Sequence, residues 1–351
     1  MTMTADPARH KPAPQSVASR RLVDKVFKAR ELAVVLVLAV MLGVTQLSNT
    51  EFLSEQGIKD LMLNATILVL VAVGQAVVVI TRNVDLSVGS VLGISAFAAG
   101  IYLQNGGNPL VAILLATALG ALFGVLNGAL VSLGKVPALV VTLGTLYIVR
   151  GIDSIWVGSR QITADALPKS FVDFGHGGIS VLPYLALLAV VVLAVVAYYL
   201  RSYHSGRDLY ALGSSPEAAR LAGVPVRARI MTAYVLCGAL AGLAGALYLA
   251  RFGNVDSATG NGFELTVVSA VVVGGVAFTG GSGTVYGAAL GALLLTSINS
   301  VLPAIGVSSV WVTAINGFLL LLAIAVDRIL ALRVAAGLRK KAAQMRSARH
   351  A

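Results

Sequence analysis

The stretch TRNVDLSVGS (81–90) carries the residue with the most chemistry to offer, Asp85, set between two apolar runs. An ionisable side chain at such a place is costly and defaults to a function. Two uses fit it. Arg82, three residues away, offers a local ion pair at an aqueous interface. Alternatively, Asn83 and Asp85 form a gate at that interface, with Ser87 and Gly89 starting the next helix. A second group consists of amides and hydroxyls inside apolar segments: Asn64, Gln75, Asn127, Thr142, Thr145, Asn299 and Asn316. A polar side chain in hydrocarbon is expensive unless paired. These residues therefore face the interior, either gluing helices together or lining a path.

Other chemistries are excluded. No acid, base and nucleophile cluster together, so the chain does not read as an enzyme. The histidines (10, 176, 204, 350) are scattered and show no metal-ligand spacing, and no cofactor is expected. A nucleotide-binding loop needs G-x-x-x-x-G-K-[ST], so that backbone amides cradle phosphates and a hydroxyl reaches magnesium. The nearest approach, GALVSLGKV (128–136), has the wrong glycine spacing and a valine where the hydroxyl belongs. The glycine-rich stretch VVVGGVAFTGGSGTVYGAALG (271–291) has no lysine after it. Its small residues at spacings of three and four fit close helix packing instead.

The elements that must position these residues are apolar. Of 351 residues, 57% are hydrophobic and 12% charged, with a mean hydropathy of +0.88. A soluble domain carries about 25% charged residues. A bilayer-spanning helix needs about 20 mostly apolar residues. Suitable runs fall at 32–48, 61–80, 86–103, 110–133, 137–155, 181–200, 230–250, 265–279, 284–302 and 308–326. The expectation is an all-α polytopic membrane protein with about ten transmembrane helices. The runs 86–103 and 265–279 are short or broken by Gly and Ser, and read as half-helices or re-entrant segments if they do not span.

The net charge of +11 is informative through its placement. With the N-terminus inside, all Lys and Arg fall in inside segments except Lys59, Arg150, Arg160, Lys169 and Arg251. That bias puts both termini in the cytoplasm. Residues 1–31 read as a disordered basic tail rather than a cleavable signal, 32–327 as the transmembrane domain, and 328–351 as a second basic tail. The last tail suits anionic lipid. Nothing resembles a nucleic-acid-binding fold. Cys237 stands alone in an apolar run and reads as a small buried helix residue.

The inside loop 201–229 contains an odd element, SSPEAARLAGVP (214–225). Ser215 can cap a helix, Pro216 suits its first position, and Glu217 suits its positive end. Gly223 and Pro225 stop it. At about two turns it is too short to stand alone. It either lies on the membrane surface or docks into a partner. Its alanines favour docking, because surface helices carry large apolar residues on one face.

This loop and the helix after it, EAARLAGVPVRARIMTAYVLCGALAGLAGALYLAR (217–251), resemble ABC-importer permeases of the ribose, xylose, arabinose, rhamnose and autoinducer-2 branch. Other stretches agree in the family's order: TRNVDLSVGSVLG (81–93), GVLNGALV (124–131), VPALVVTLGTLYIVRG (136–151) and VVVGGVAFTGGSGTVYGAALGALLL (271–295). The resemblance implies that Pro216, Glu217, Ala218, Ala219, Arg220 and Gly223 form a coupling helix seated in a separate ATP-binding-cassette ATPase, with Glu217 and Arg220 as polar contacts. It implies a second permease copy or close relative. It also implies an extracytoplasmic solute-binding protein touching loops such as 156–180 and 251–264, and a bacterial cytoplasmic (inner) membrane. A sugar path wants amides and hydroxyls. Asn127, Thr142 and Thr145 lead, where the resemblance is densest, with Asn83, Asp85, Ser87 and Asn299 as further candidates. The pentapeptide TRNVD leans toward rhamnose-type and autoinducer-2-type members. The competing expectation is an ion-coupled secondary transporter or channel for a small neutral solute.

Overall fold

The computed structural model describes residues 17–332, apart from 309, 313, 327, 330 and 331. Each apolar run of the sequence meets a helix, the run 265–279 only as far as Val273. In chain order these are α1 (Val17–Ser48), α2 (Glu55–Ile80), α3 (Val88–Gln104), α4 (Pro109–Ser132) and α5 (Ala138–Val157). After the loop helix α6 (Lys169–His176) come α7 (Tyr184–Ser202), α8 (His204–Ser214), α9 (Pro216–Leu221), α10 (Val226–Phe252), α11 (Phe263–Val273) and α12 (Val285–Ala304). A last apolar helix covers Val310–Val326. Six helices (α2, α4, α5, α7, α10, α12) are long and apolar enough to cross a bilayer by length and composition. Four apolar helices are shorter: Glu31–Leu47 within α1, α3, α11 and Val310–Val326. The polytopic all-α class thus holds, with two small departures. The short strands β1 (Gly178–Ile179) and β2 (Leu182–Pro183) pair antiparallel in the 156–180 region and just beyond it. Helix α1 starts at Val17, so part of the segment expected as a disordered tail is helical; residues 1–16 and 333–351 lie outside the described residues.

Helix α2 is the axis of the bundle. Its most apolar stretch is 94% buried, whereas those of α4, α5 and α7 are only 22–28% buried. A helix apolar all round belongs in a core. The exposed faces of α4 (Leu110, Leu114, Leu122, Leu126) and α5 (Leu139, Val140, Ile148, Ile155) carry large aliphatic residues, as a lipid-facing surface requires.

Close helix contact rests on glycine. Gly120, Gly124 and Gly128 of α4 face Gly238, Gly242, Tyr234 and Met231 of α10, and a Cβ at Gly124 would overlap the Tyr234 carbonyl. Between α11 and α12, Gly274 meets the Gly287 backbone and Gly291 meets Ala270. The small-residue spacing at 271–291 therefore does what the sequence suggests. Without a hydrophobic force between helices in lipid, such backbone approach supplies the packing.

The region 253–284 departs from a simple span. Helix α11 has 11 residues, a rise of about 16 Å, against a hydrocarbon thickness of roughly 30 Å. The preceding segment folds back into the bundle. Thr259 and Gly260 pack against Gly93 and Gly89 of α3, and the backbone of neighbouring Leu92 lies against Gly245 of α10. Gly245 is about 10 Å below the end of α10 at Phe252. Segment 253–262 is therefore re-entrant, and α11 is a half-helix starting inside the bundle.

Candidate functional site

Five of the expected path residues converge. Asp85 follows the break between α2 and α3. The Ser87 hydroxyl donates to Asp85 Oδ1 (2.6 Å), as does the Ser87 backbone N–H (2.9 Å). Asn127 on α4 donates to Ser87 Oγ (2.9 Å), and Thr145 on α5 donates to Asn127 Oδ1 (2.6 Å). Thr142 on α5 and Tyr234 on α10 both reach the Val84 carbonyl (3.4 and 3.3 Å). Gln75 on α2 clamps the Asp85 backbone, its amide accepting from N (3.2 Å) and donating to O (3.1 Å). One short break is thus stitched to α2, α4, α5 and α10.

Asp85, Ser87, Asn127 and Thr142 are buried, with exposures of 0–1%. Their polar atoms face each other in a closed hydrogen-bonded cluster, the lock. The remaining two candidates lie elsewhere. Asn83 bonds within its own turn, to Thr81. Asn299 on α12 accepts from Asn316, joining α12 to the last helix.

The expected Arg82–Asp85 ion pair does not form. Arg82 has a left-handed backbone (φ 65°), a strained position for a residue with a side chain. Its guanidinium leaves Asp85 and bonds the carbonyls of Gly213, through Nε, and Ser214 (2.8 Å) at the end of α8. Two carbonyls at a helix C-terminus are natural partners for a cation. The same corner holds the 280–283 turn: Gly281 N donates to the Ile80 carbonyl (2.8 Å), and Tyr210 donates to Gly283 O (3.2 Å). Burial pushes the Tyr210 phenol up to about 12. Sequence spacing pointed Arg82 at the wrong partner, because nothing local reveals that α8 returns to this corner.

Directly after Ser214 comes α9. Ser215 accepts from Ala218 N (3.3 Å), Pro216 occupies the first turn, and Gly223 closes the helix at φ +80°. The N–H groups of Gly223 and Val224 bond the carbonyls of Arg220 and Ala219 (both 3.0 Å), a Schellman stop. Only Ala219 is buried (4%); Pro216, Glu217, Ala218, Arg220 and Gly223 are exposed, and Leu221 is 84% exposed. Ala219 is thus an anchor to the body, while the others face outward. The base is braced by Arg229 of α10 on Asp208 of α8 (2.9 Å). Among the described residues no His, Cys, Asp or Glu group is arranged to hold a metal.

Comparison with known proteins identifies the family. Relatives include the autoinducer 2 import system permease protein LsrC of Enterobacter sp. (strain 638), 38% identical over 86% of this chain and 88% of the relative. The LsrC proteins of Shigella flexneri (35% identical; 85% and 86% covered) and Salmonella typhi (37%; 84% and 83%) match comparably. No solved structure matches. The family described as branched-chain amino acid transport system / permease component matches residues 57–324, a span that takes in the lock, the corner at Arg82 and α9. From its second helix to its last apolar one, the chain therefore belongs to this family of transport-system permeases.

Proposed function

We propose that the chain is the membrane-spanning permease subunit of an ATP-driven importer in a bacterial cytoplasmic membrane, carrying autoinducer 2 or a similar small hydroxyl-rich solute. The observation that carries this reading is α9. A six-residue helix capped at both ends, anchored by one alanine and showing Leu221 almost fully exposed, needs a protein groove to cover it. Its partner is an ATPase subunit, since this chain has no nucleotide loop of its own. The family description names amino acids and the relatives' names name autoinducer 2. The hydroxyl-rich solute follows the relatives, at 35–38% identity over most of the chain. A solute-binding protein on the outer side and a second permease copy complete the assembly.

The mechanism follows the bonds. Movement of α9 pulls on Ser215 and the end of α8. Arg82 holds that end through two carbonyls, and three residues further on stands Asp85. The strained turn at Arg82 transmits the pull to the break, and Ser87 and Asn127 separate. The lock opens when the ATPase changes shape and reseals when it relaxes. Purification of the tagged chain in mild detergent tests this. An ATP-hydrolysing subunit accompanies the wild type and is reduced at least fivefold with Glu217→Lys. A wild-type chain isolated alone yet active in uptake contradicts it.

One observation favours the ion-coupled alternative. Asp153 on α5 is buried, with neither carboxylate oxygen hydrogen-bonded and Arg150 at 4.0 Å. Buried acids serve ion-coupled carriers. Uptake that survives ATP depletion while the ion gradient persists would select that reading.

A further inference from the structure

A cavity of about 740 Å³ opens beside the re-entrant segment, lined by Tyr248, Asn254, Asp256, Asn261, Phe263 and Thr266, with Leu92 and Asn316 also on its wall. The volume falls within the roughly 300–1,000 Å³ of small-molecule sites. We propose that this cavity is the outer solute site of the permease, holding one neutral, hydroxyl-rich molecule before it passes the lock; the proposal rests on the importer reading above.

Three observations support it. The first is unused hydrogen-bonding capacity. Among the described residues the side chains of Asn261 and Thr266 make no hydrogen bond, and Asn254 uses only its Oδ1, toward Gln161 (2.8 Å). These are amides and a hydroxyl, the groups that exchange bonds with solute hydroxyls.

The second is the wall chemistry. Asp256, the one acidic residue among the described wall residues, accepts through Oδ1 from Ala258 N (3.0 Å) and Thr259 Oγ1 (3.1 Å). Tyr248 and Phe263 add flat apolar surface. Such a wall suits a neutral ring or polyol. Among the described residues that line it there is no Lys, Arg or His to pair with an amino acid's carboxylate.

The third is position. The segment 254–263 enters from the end of α10 opposite α9. Leu92 on the cavity wall belongs to α3, and Ser87 in the lock is the N-cap of that helix, five residues away, about 8 Å along its axis. A solute resting in the cavity is therefore next to the closed lock, where its opening admits the solute onward.

The test uses the full-length chain. Cys237 is buried, so Asn261→Cys supplies the reactive thiol. Its alkylation rate is measured in proteoliposomes without ATP, with millimolar autoinducer 2 or leucine. Slowing of threefold or more by autoinducer 2, with leucine inert, is expected. Equal rates throughout, or protection by leucine, overturn the proposal. In parallel, Asn261→Trp in the assembled importer should cut autoinducer 2 uptake at least tenfold while binding-protein association stays normal. Normal uptake, or loss of that association, overturns it, the latter because the face is then a docking surface. Absence of ATP-driven uptake by the wild type would instead strike the importer reading, whereas thiol protection does not depend on it.

Discussion

Asn127 engages both ends of its amide, donating toward Ser87 and accepting from Thr145. Its removal orphans buried partners, at about 1–3 kcal/mol for each group left unpaired. Asn127→Leu is therefore expected to lower the thermal midpoint of the detergent-solubilised protein and its abundance in the membrane; unchanged stability with lost uptake would make it a solute contact instead. Arg82→Gln is expected to behave differently. The corner keeps its backbone bond from Gly281 to Ile80, so the protein folds and binds its ATPase, but uptake falls about tenfold while ATP hydrolysis continues. Loss of both together would argue against a transmitting role. Gln75, Asn127, Thr142 and Thr145 were legible in the sequence as interior, because a polar side chain in lipid must be paired; Asp85 and Ser87 read as interfacial and are buried instead. The pairing was not legible: Asp85 to Ser87 is local, but Asn127 and Thr145 reach it across tens of residues. Arg82 shows the same limit, since its partners are 131 and 132 positions away.

At the scale of elements, the short helix was the most readable part. Ser215, Pro216, Gly223 and Pro225 act within a few residues, and the structure places the caps where those residues stand. Which face it hides was not readable; only packing shows that Ala219 points inward. The helix pair α4 and α10 provides a sharper contrast. Gly124→Leu must push α4 off the Tyr234 carbonyl, and is expected to abolish stable insertion, measured as protein in washed membranes. Leu126→Ala, on the exposed face of the same helix, should leave the level unchanged. Equal behaviour of the two would refute glycine-mediated packing. The weak runs at 86–103 and 265–279 already signalled interrupted elements. The return of 253–262 into the bundle was hidden, because that polar stretch reads as an ordinary outer loop until Gly89 and Gly93 are seen to make room for it.

For the whole molecule, hydropathy carried the class, since it follows from solvent physics rather than from packing detail, and Lys/Arg placement gives the proposed orientation. Orientation is open to a direct check. Because Cys237 is buried, Leu221→Cys should react with an impermeant maleimide only from the cytoplasmic side, and Ile179→Cys, in the β1 strand, only from outside. Labelling of both from one side would break the topology. The central claim is that a separate ATPase drives this permease through α9. The most direct measurement is autoinducer 2 uptake into proteoliposomes containing the chain, its ATPase and its binding protein, with ATP supplied and all ion gradients collapsed. The account predicts uptake by the wild type that stops when ATP is withheld and falls at least fivefold with Glu217→Lys. Uptake that needs an ion gradient and ignores both ATP and Glu217 would contradict it.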